Sequence, residues 1–282
     1  MNVLSLFDGI SAGQVSLERS GIKLDNYYAS EIDKYAIQVA NKNYPNTIQL
    51  GSVSDWMDWD IDLTSIDMVI GGSPCQGFSI AGKQLNFDDE RSKLFFDFAN
   101  ILNHIKMLNP NVKFLLENVR MKKEYQDVIS EYVGVEPIVI NSSLVSAQNR
   151  VRFYWTNIEG IEQPADRKLL LSDILEDFVD IKYHLTSEAM EYMSRLRNGK
   201  PRWEYHTNPL NGKSACLTAN MYKGVPYGVI RELIRKLTPL ECERLQTFPD
   251  HYTKGISNTQ RYKSLGNSWT IDVIAHIFKN LQ

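Results

Sequence analysis

Cys75 sits where a nucleophile would be expected. It lies in Gly71-Gly72-Ser73-Pro74-Cys75-Gln76-Gly77-Phe78-Ser79, behind a proline and just past an apolar run. A free thiol has a pKa near roughly 8.5, and an electropositive setting raises the thiolate fraction that attacks. The other reading is a small buried core residue, the usual fate of a lone cysteine. Two further groups of suitable type follow: KFLLE delivers Glu117-Asn118-Val119, and Gln148-Asn149-Arg150-Val151-Arg152 opens another apolar run. If these runs are neighbouring strands, a thiol, a carboxylate and two cations converge at one sheet edge. Glu117 as a structural ion-pair partner of the arginines is the alternative.

A third constellation stands at the start of the chain, Phe7-Asp8-Gly9-Ile10-Ser11-Ala12-Gly13 between an apolar run and a helix-like stretch. The order strand, glycine turn, helix turns backbone N–H groups toward a ligand at a helix N-terminus. It is neither a strict GxGxxG nor a phosphate loop. The next apolar run ends at Glu31, where an acidic side chain can take ribose hydroxyls. A plain surface carboxylate fits the same position.

These residues need a frame. NVLSLF, YYASE, MVIGG, KFLLEN and FYWTN read as strands, and KYAIQVANKNY, KLFFDFANILNHIKML and KEYQDVISEYV carry apolar residues at helical intervals. The alternation predicts an α/β fold with a mostly parallel sheet covered on both faces, its ligands beyond the carboxyl ends of the strands. After Asn157 the periodicity weakens, and NPLNGK and KGVPYG mark a lobe of loops and short strands. TPLECERLQTF predicts a helix with Thr238 as N-cap and Pro239 in its first turn, and SWTIDVIAHIFKNL a final amphipathic helix. The expected division is 1–158, 159–234 and a C-terminal segment 235–282 that returns to the first part.

With 282 residues and 43% hydrophobic content the chain can bury a sizeable core. Its three cysteines, Cys75, Cys216 and Cys242, show no metal-ligand spacing and its five histidines are scattered, so no metal site is expected. The N-terminus lacks a basic leader and no apolar run approaches roughly 20 residues, which predicts a soluble cytoplasmic protein. The net charge of −3 is unevenly spread: residues 182–236 hold ten Lys or Arg against four Glu, a stretch of +6 in a remainder of −9. Tyr183, Tyr192, Trp203, Tyr205, Tyr222 and Tyr227 are interleaved there, a mixture suited to nucleic acid or to an ordinary solvated lobe.

The ordered set FDGISAG, SPCQGFSIAGKQ, LLENV, QNRVR, KLTPLECERLQTFPD and LGNSW resembles the cytosine carbon-5 DNA methyltransferase family from the first strand to the last helix. VSAQNRVRFYWTNIEG and FPDHYTKGISN are similar to the animal de novo branch, and SPCQGFSIAGKQ to bacterial modification enzymes. The resemblance implies the Rossmann-like fold of class I S-adenosylmethionine-dependent methyltransferases, with 159–234 as a smaller target-recognition lobe. It implies methyl transfer from S-adenosylmethionine to carbon 5 of a cytosine flipped out of duplex DNA. Cys75 matches the thiolate that adds to carbon 6, because carbon 5 alone is too poor a nucleophile for a sulfonium methyl. Glu117 matches the acid at ring nitrogen 3, and Arg150 and Arg152 match the arginines near the base carbonyl oxygen and the catalytic groups.

For the cofactor the resemblance implies Phe7 against the adenine, Asp8, Gly9, Ile10, Ser11, Ala12 and Gly13 around the methionine part, Glu31 on the ribose and Ile32 on the adenine's other face. Val53, Pro74, Leu94, Asn267 and Ser268 complete that set. Two positions depart from the pattern: Ser11 replaces a frequent second glycine, and Ser52 stands where an aspartate often meets the adenine amino group. For DNA the resemblance implies Ser79, Gly82, Lys83 and Gln84 on a loop over the flipped base, and Thr218 in the lobe. Arg195, Arg197 and Arg202 are the expected phosphate contacts. Double-stranded DNA is the expected partner, with no membrane and no metal; the oligomeric state is left open, a monomer being compatible with the pattern. Two rivals share the scaffold. One is a transfer-RNA cytosine methyltransferase, whose Cys-Phe-Thr motif is replaced here by Cys216-Leu217-Thr218; the other is an inactive DNA-binding regulator.

Overall fold

The computed structural model describes residues 1–73, 90–225 and 227–281. The chain forms two compact units. The first comprises Met1–Ile140, Val151–Gln163 and Ile274–Gln282, the second Asn141–Arg150 and Pro164–Val273.

Seven strands dominate the first unit: β1 (Asn2–Leu6), β2 (Asn26–Ser30), β3 (Ile48–Gln49), β4 (Met68–Gly71), β5 (Lys113–Val119), β6 (Ile138–Asn141) and β7 (Val151–Thr156). Their order in the sheet is β3-β2-β1-β4-β5-β7-β6. β3 to β5 pair in parallel through β2, β1 and β4, while β7 runs antiparallel to β5. Every residue of β4 is buried, as expected of a strand covered on both faces. The connecting helices are α1 (Ala12–Arg19), α2 (Lys34–Asn43), α3 (Glu90–Leu108) and α4 (Lys123–Val133). Leu4, Leu6, Val69, Phe95, Phe98, Phe114, Leu116 and Trp155 fill the core between sheet and helices. Each such side chain contributes about 1.5–3 kcal/mol on burial. Trp155 keeps its indole N–H satisfied on Ser130 Oγ at 3.0 Å.

The second unit is built of short pieces: α5 (Ser187–Ser194), the hairpin β8 (Leu196–Arg197) with β9 (Lys200–Pro201), α6 (Trp203–His206), and a three-stranded sheet of β10 (Thr207–Asn208), β11 (Val229–Ile230) and β12 (Arg235–Lys236). Then come α7 (Pro239–Leu245) and α8 (Asn258–Asn267); the last helix, α9 (Ile271–Phe278), passes into the first unit at Ile274. Thr238 caps α7 as expected. Its hydroxyl accepts the Glu241 N–H at 3.1 Å, and Glu241 Oε2 accepts the Thr238 N–H at 2.8 Å, a reciprocal capping box. Glu241 is fully buried and also takes both Nη atoms of Arg235, at 2.7 and 2.8 Å.

The two units divide the chain at other points than the expected segments. Residues 141–150 belong to the second unit, and of the segment 235–282 only Ile274–Gln282 lies in the first. The reason is local pairing: Asn149 N–H donates to Ser214 O at 2.8 Å and Ser214 N–H to Ala147 O at 2.7 Å, which binds the stretch before β7 into the lobe. Nothing in the hydropathy of SAQNR announces this. Helix α8 and the strands β3 and β6 were also not read from the pattern, since NTQRYKSLGN is too polar and the strands too short to give a clear period.

Candidate active site

β5 and β7 lie side by side with Val119 opposite Arg152 and Glu117 opposite Tyr154. Arg152 is therefore a diagonal neighbour of Glu117, within reach of a long side chain. Its Nε lies 2.8 Å from Glu117 Oε1, and both side chains are 12% exposed. Nη1 of the same guanidinium donates to Val151 O at 2.8 Å. One pair of strands thus brings together two of the four residues expected to carry chemistry, near the carboxyl end of β5.

Asn118, next in β5, faces the other side of the sheet and is buried. Its Nδ2 lies 3.3 Å from Ser73 Oγ and 3.4 Å from Ser73 O, and its Oδ1 accepts the Val119 N–H at 2.8 Å. Ser73, itself buried, follows the end of β4 and immediately precedes Pro74 and Cys75. Asn118 thus ties the two strand exits together. Pro74, Cys75, Ser79, Gly82, Lys83 and Gln84 lie outside the described residues.

The turn between β1 and α1 is an unusual piece of backbone. Phe7, Gly9 and Ser11 all have positive φ, at 58°, 60° and 59°. For a residue with a side chain that conformation costs roughly 1 kcal/mol or more, so the surroundings must hold it. They do so through two carboxylates. Asp8 is buried, with Oδ2 accepting the Ser11 hydroxyl at 2.6 Å and Oδ1 the Tyr27 hydroxyl at 2.7 Å. Burial pushes the Asp8 carboxyl above its ordinary value, and the hydrogen bonds from Ser11, Tyr27 and Ser5 oppose that shift. Glu31 Oε2 accepts the Gly9 N–H at 2.8 Å, while its Oε1 accepts those of Ile32 and Asp33, both at 2.8 Å. Gly13 completes the packing, since a Cβ there would lie 2.4 Å from Ile70 Cδ1 and 2.5 Å from the Tyr27 hydroxyl.

The result is a left-handed turn at the N-terminus of α1, where Ser11 gives its hydroxyl to Asp8 and leaves the helix without a side-chain cap. Beside it stand an acid at the end of β2 and the apolar Ile32, 76% exposed. Comparison with known proteins interprets this arrangement. The family model for C-5 cytosine-specific DNA methylases matches residues 1–282. The chain belongs to that family.

The type II methyltransferase M1.ScrFI of Lactococcus lactis subsp. cremoris is 30% identical over 99% of this chain and 77% of its own length. M.HpaII of Haemophilus parainfluenzae is 30% identical over 96% of this chain and 86% of its own. Among solved structures, the methyltransferase EhMeth of Entamoeba histolytica superposes with a TM-score of 0.75 at 19% identity, covering 100% of this chain and 99% of that one. A triple variant of DNMT2 from Spodoptera frugiperda gives 0.72 at 22% identity, with 99% of each chain covered. These two establish the α/β methyltransferase fold. The methylase reaction is transfer of a methyl group to cytosine carbon 5 in DNA, and methylases of this kind take that group from S-adenosylmethionine.

The other expected residues of the methylase are distributed as follows. In the first unit Val53 is buried, while Phe7 and Leu94 are partly buried against the core. Ser52 caps a short 3-10 turn by accepting the Ser54 N–H at 3.2 Å, and Ser54 in turn donates to Asp97 at 2.7 Å. In the second unit Asn267 is exposed, Ser268 is half-buried and Thr218 caps the turn that follows it. Arg150 is buried among carbonyl groups of that unit. Arg195 pairs with Glu191 at 3.1 Å on the exposed face of α5, and Arg202 lies 4.6 Å from the centre of the Tyr192 ring. Arg197 is exposed on the hairpin. Asn118 and Tyr27, which organise the strand exits and the turn, were missed as functional positions. LLENV did contain the first of them, but only the Ser73 contact gives it a purpose.

Among the described residues no cluster of three or more His, Cys, Asp or Glu could hold a metal ion. None of their helices is long and apolar enough to cross a membrane.

Proposed function

We propose that this methylase works through Cys75 as a covalent nucleophile, with Glu117 and Arg152 acting as one unit on the cytosine ring. The observation that carries the reading is the 2.8 Å ion pair between Arg152 and Glu117 at the end of β5, next to the Asn118 contact that anchors the strand exit leading to Cys75. The Cys75 thiolate adds to carbon 6, which turns carbon 5 into a nucleophile. Glu117 meets ring nitrogen 3 and stabilises the charge that develops there, and Arg152 fixes the direction of the carboxyl and brings its positive charge to the neighbouring carbonyl oxygen. After methyl transfer a water molecule takes the carbon-5 proton, and the electron pair of that C–H bond re-forms the carbon 5–carbon 6 double bond as the carbon 6–sulfur bond breaks and releases the thiolate.

The turn of Phe7 to Gly13 fits S-adenosylmethionine in its chemistry. The uncapped start of α1 suits a carboxylate, Glu31 keeps lone pairs for ribose hydroxyls beyond its three backbone partners, and Ile32 offers an apolar face to a purine. That cofactor supplies an electrophilic sulfonium methyl. The Asp8 carboxyl, in contrast, is turned into the protein and acts on the turn. The +6 stretch of residues 182–236 provides phosphate contacts for duplex DNA.

Transfer of labelled methyl to unmethylated duplex DNA and to transfer RNA tests the reading, together with trapping on duplex DNA carrying 5-fluorocytosine. Wild type is expected to label only the DNA and to form a stable adduct, because fluorine cannot leave as a proton. Cys75→Ala is expected to do neither. An adduct that persists in Cys75→Ala moves the nucleophile elsewhere, and labelling of transfer RNA alone moves the substrate.

A further inference from the structure

The first arginine of the Gln-Asn-Arg-Val-Arg run has a different environment from the second. Arg150 is 3% exposed. Its Nη1 donates to Leu217 O at 2.9 Å and lies 3.3 Å from Cys216 Sγ, while Nη2 donates to Ser268 O at 2.7 Å and Gly266 O at 3.2 Å. Its backbone is fixed as well: the N–H donates to Asn141 Oδ1 and the carbonyl accepts the Ser142 N–H, both at 3.0 Å. Gln148, two residues earlier and on the same side of the extended chain, accepts the Leu217 N–H on Oε1 at 3.2 Å and donates Nε2 to Leu245 O at 2.7 Å. Both backbone groups of Leu217 are therefore taken by side chains of the Gln-x-Arg segment.

The two segments that Arg150 bridges also touch without any side chain between them. A Cβ on Gly266 would lie 2.1 Å from Thr218 C and 2.3 Å from Ala219 N. Only glycine permits backbone that close. A planar guanidinium with five donors can span the carbonyls of both segments at once, whereas an ammonium would reach one side.

We propose that Arg150 is a positioning residue, which locks the Cys216-Leu217-Thr218 stretch of the lobe onto the Gly266-Asn267-Ser268 turn and does not itself touch the base. The inference rests on the methylase reading above. In that reading Thr218 faces DNA and Asn267 and Ser268 face the cofactor, so one guanidinium sets the placement of both groups. Loosening it should weaken both ligands together and relax the choice of target sequence, more than it slows the bond-making step.

The test compares full-length wild type with Arg150→Ala, Arg150→Lys and Gly266→Ala. Steady-state methyl transfer to duplex DNA, sequencing of the methylated sites, and turnover-free binding of duplex DNA and of S-adenosylhomocysteine are measured. Arg150→Ala should raise KM for DNA and for cofactor by about tenfold or more, with a smaller fall in kcat and methylation spreading to near-target sites. Arg150→Lys should be nearly as impaired, because charge without the planar fork cannot bridge. Gly266→Ala should reproduce the pattern from the opposite side of the junction. A kcat loss of about 100-fold with both KM values and the site pattern unchanged, partly restored in Arg150→Lys, would overturn the proposal. If the Arg150 variants do not fold, a folded Gly266→Ala with wild-type affinities and selectivity overturns it equally. Wild type inactive on DNA counts against the methylase mechanism, and the binding measurements still decide the junction.

Discussion

Arg152 reaches diagonally from β7 to β5 and sets its Nε 2.8 Å from Glu117 Oε1. The contact joins a group that can protonate or hydrogen-bond a ring nitrogen to one that can meet a carbonyl oxygen, with a single geometry for both. Residues that act as a unit give strongly non-additive losses when removed.

Glu117→Gln and Arg152→Ala are each expected to slow single-turnover methyl transfer by roughly 100-fold or more, the scale of a positioned acid. The double variant should be little worse than either single one. Rates from rapid-quench experiments, with DNA binding measured alongside, check this. Losses that multiply in the double variant would mean that the two side chains act on the base independently.

Asp8 predicts a pH dependence of folding. Its folded-state pKa lies above the ordinary 3.8, chiefly through burial, so the folded protein holds this proton longer than the unfolded chain. The group's contribution is fully present below about pH 4 and is lost as pH rises through the higher folded value. Asp8→Asn removes that component, so the stability difference, variant minus wild type, should rise from pH 4 toward neutrality and then level off. Urea titrations of both proteins across that range provide the measurement; parallel curves would place the proton elsewhere.

The second unit carries a prediction for the salt dependence of DNA binding. Arg197 and Lys200 stand directly opposite one another across the β8–β9 hairpin, around the turn of Asn198 and Gly199, and Arg202 is stacked on Tyr192. Like charges facing across a ribbon repel until an anion lies between them, although Lys200 is shared with Glu204 at 3.3 Å. Replacing Arg197 and Lys200 by Ala should weaken binding to any duplex and flatten the slope of log affinity against log salt by up to about two. Arg202→Ala should leave the slope alone and cost about 0.5–1 kcal/mol of stability. Binding isotherms over a salt series, on target and unrelated duplexes, decide between them. A slope lowered by Arg202→Ala alone would reverse the assignment.

The sequence by itself determined the class of fold and the reaction. Alternating apolar runs and helical periods predicted the parallel sheet, because buried strands must be apolar throughout and covering helices on one face only. Thr238 and Pro239 announced the start of α7 by local chemistry that needs no tertiary context. The ordered motifs from FDGISAG to LGNSW resembled the cytosine carbon-5 methylases, the family whose model matches residues 1–282.

Tertiary structure alone decided which neighbours each motif residue finds. Arg150 and Arg152 are two apart and alike on paper, yet one meets Glu117 and the other the carbonyls of Leu217, Gly266 and Ser268. Their partners lie far away in sequence, and pairing over that distance is set by strand register and backbone approach, about which residue type says nothing. Ser11 makes the same point. It departs from a frequent glycine, and the buried Asp8 carboxylate accepts its hydroxyl and steadies the left-handed backbone. That compensation depends on Tyr27 and Asp8 meeting inside the folded core, a contact between separate strands that a linear pattern does not contain.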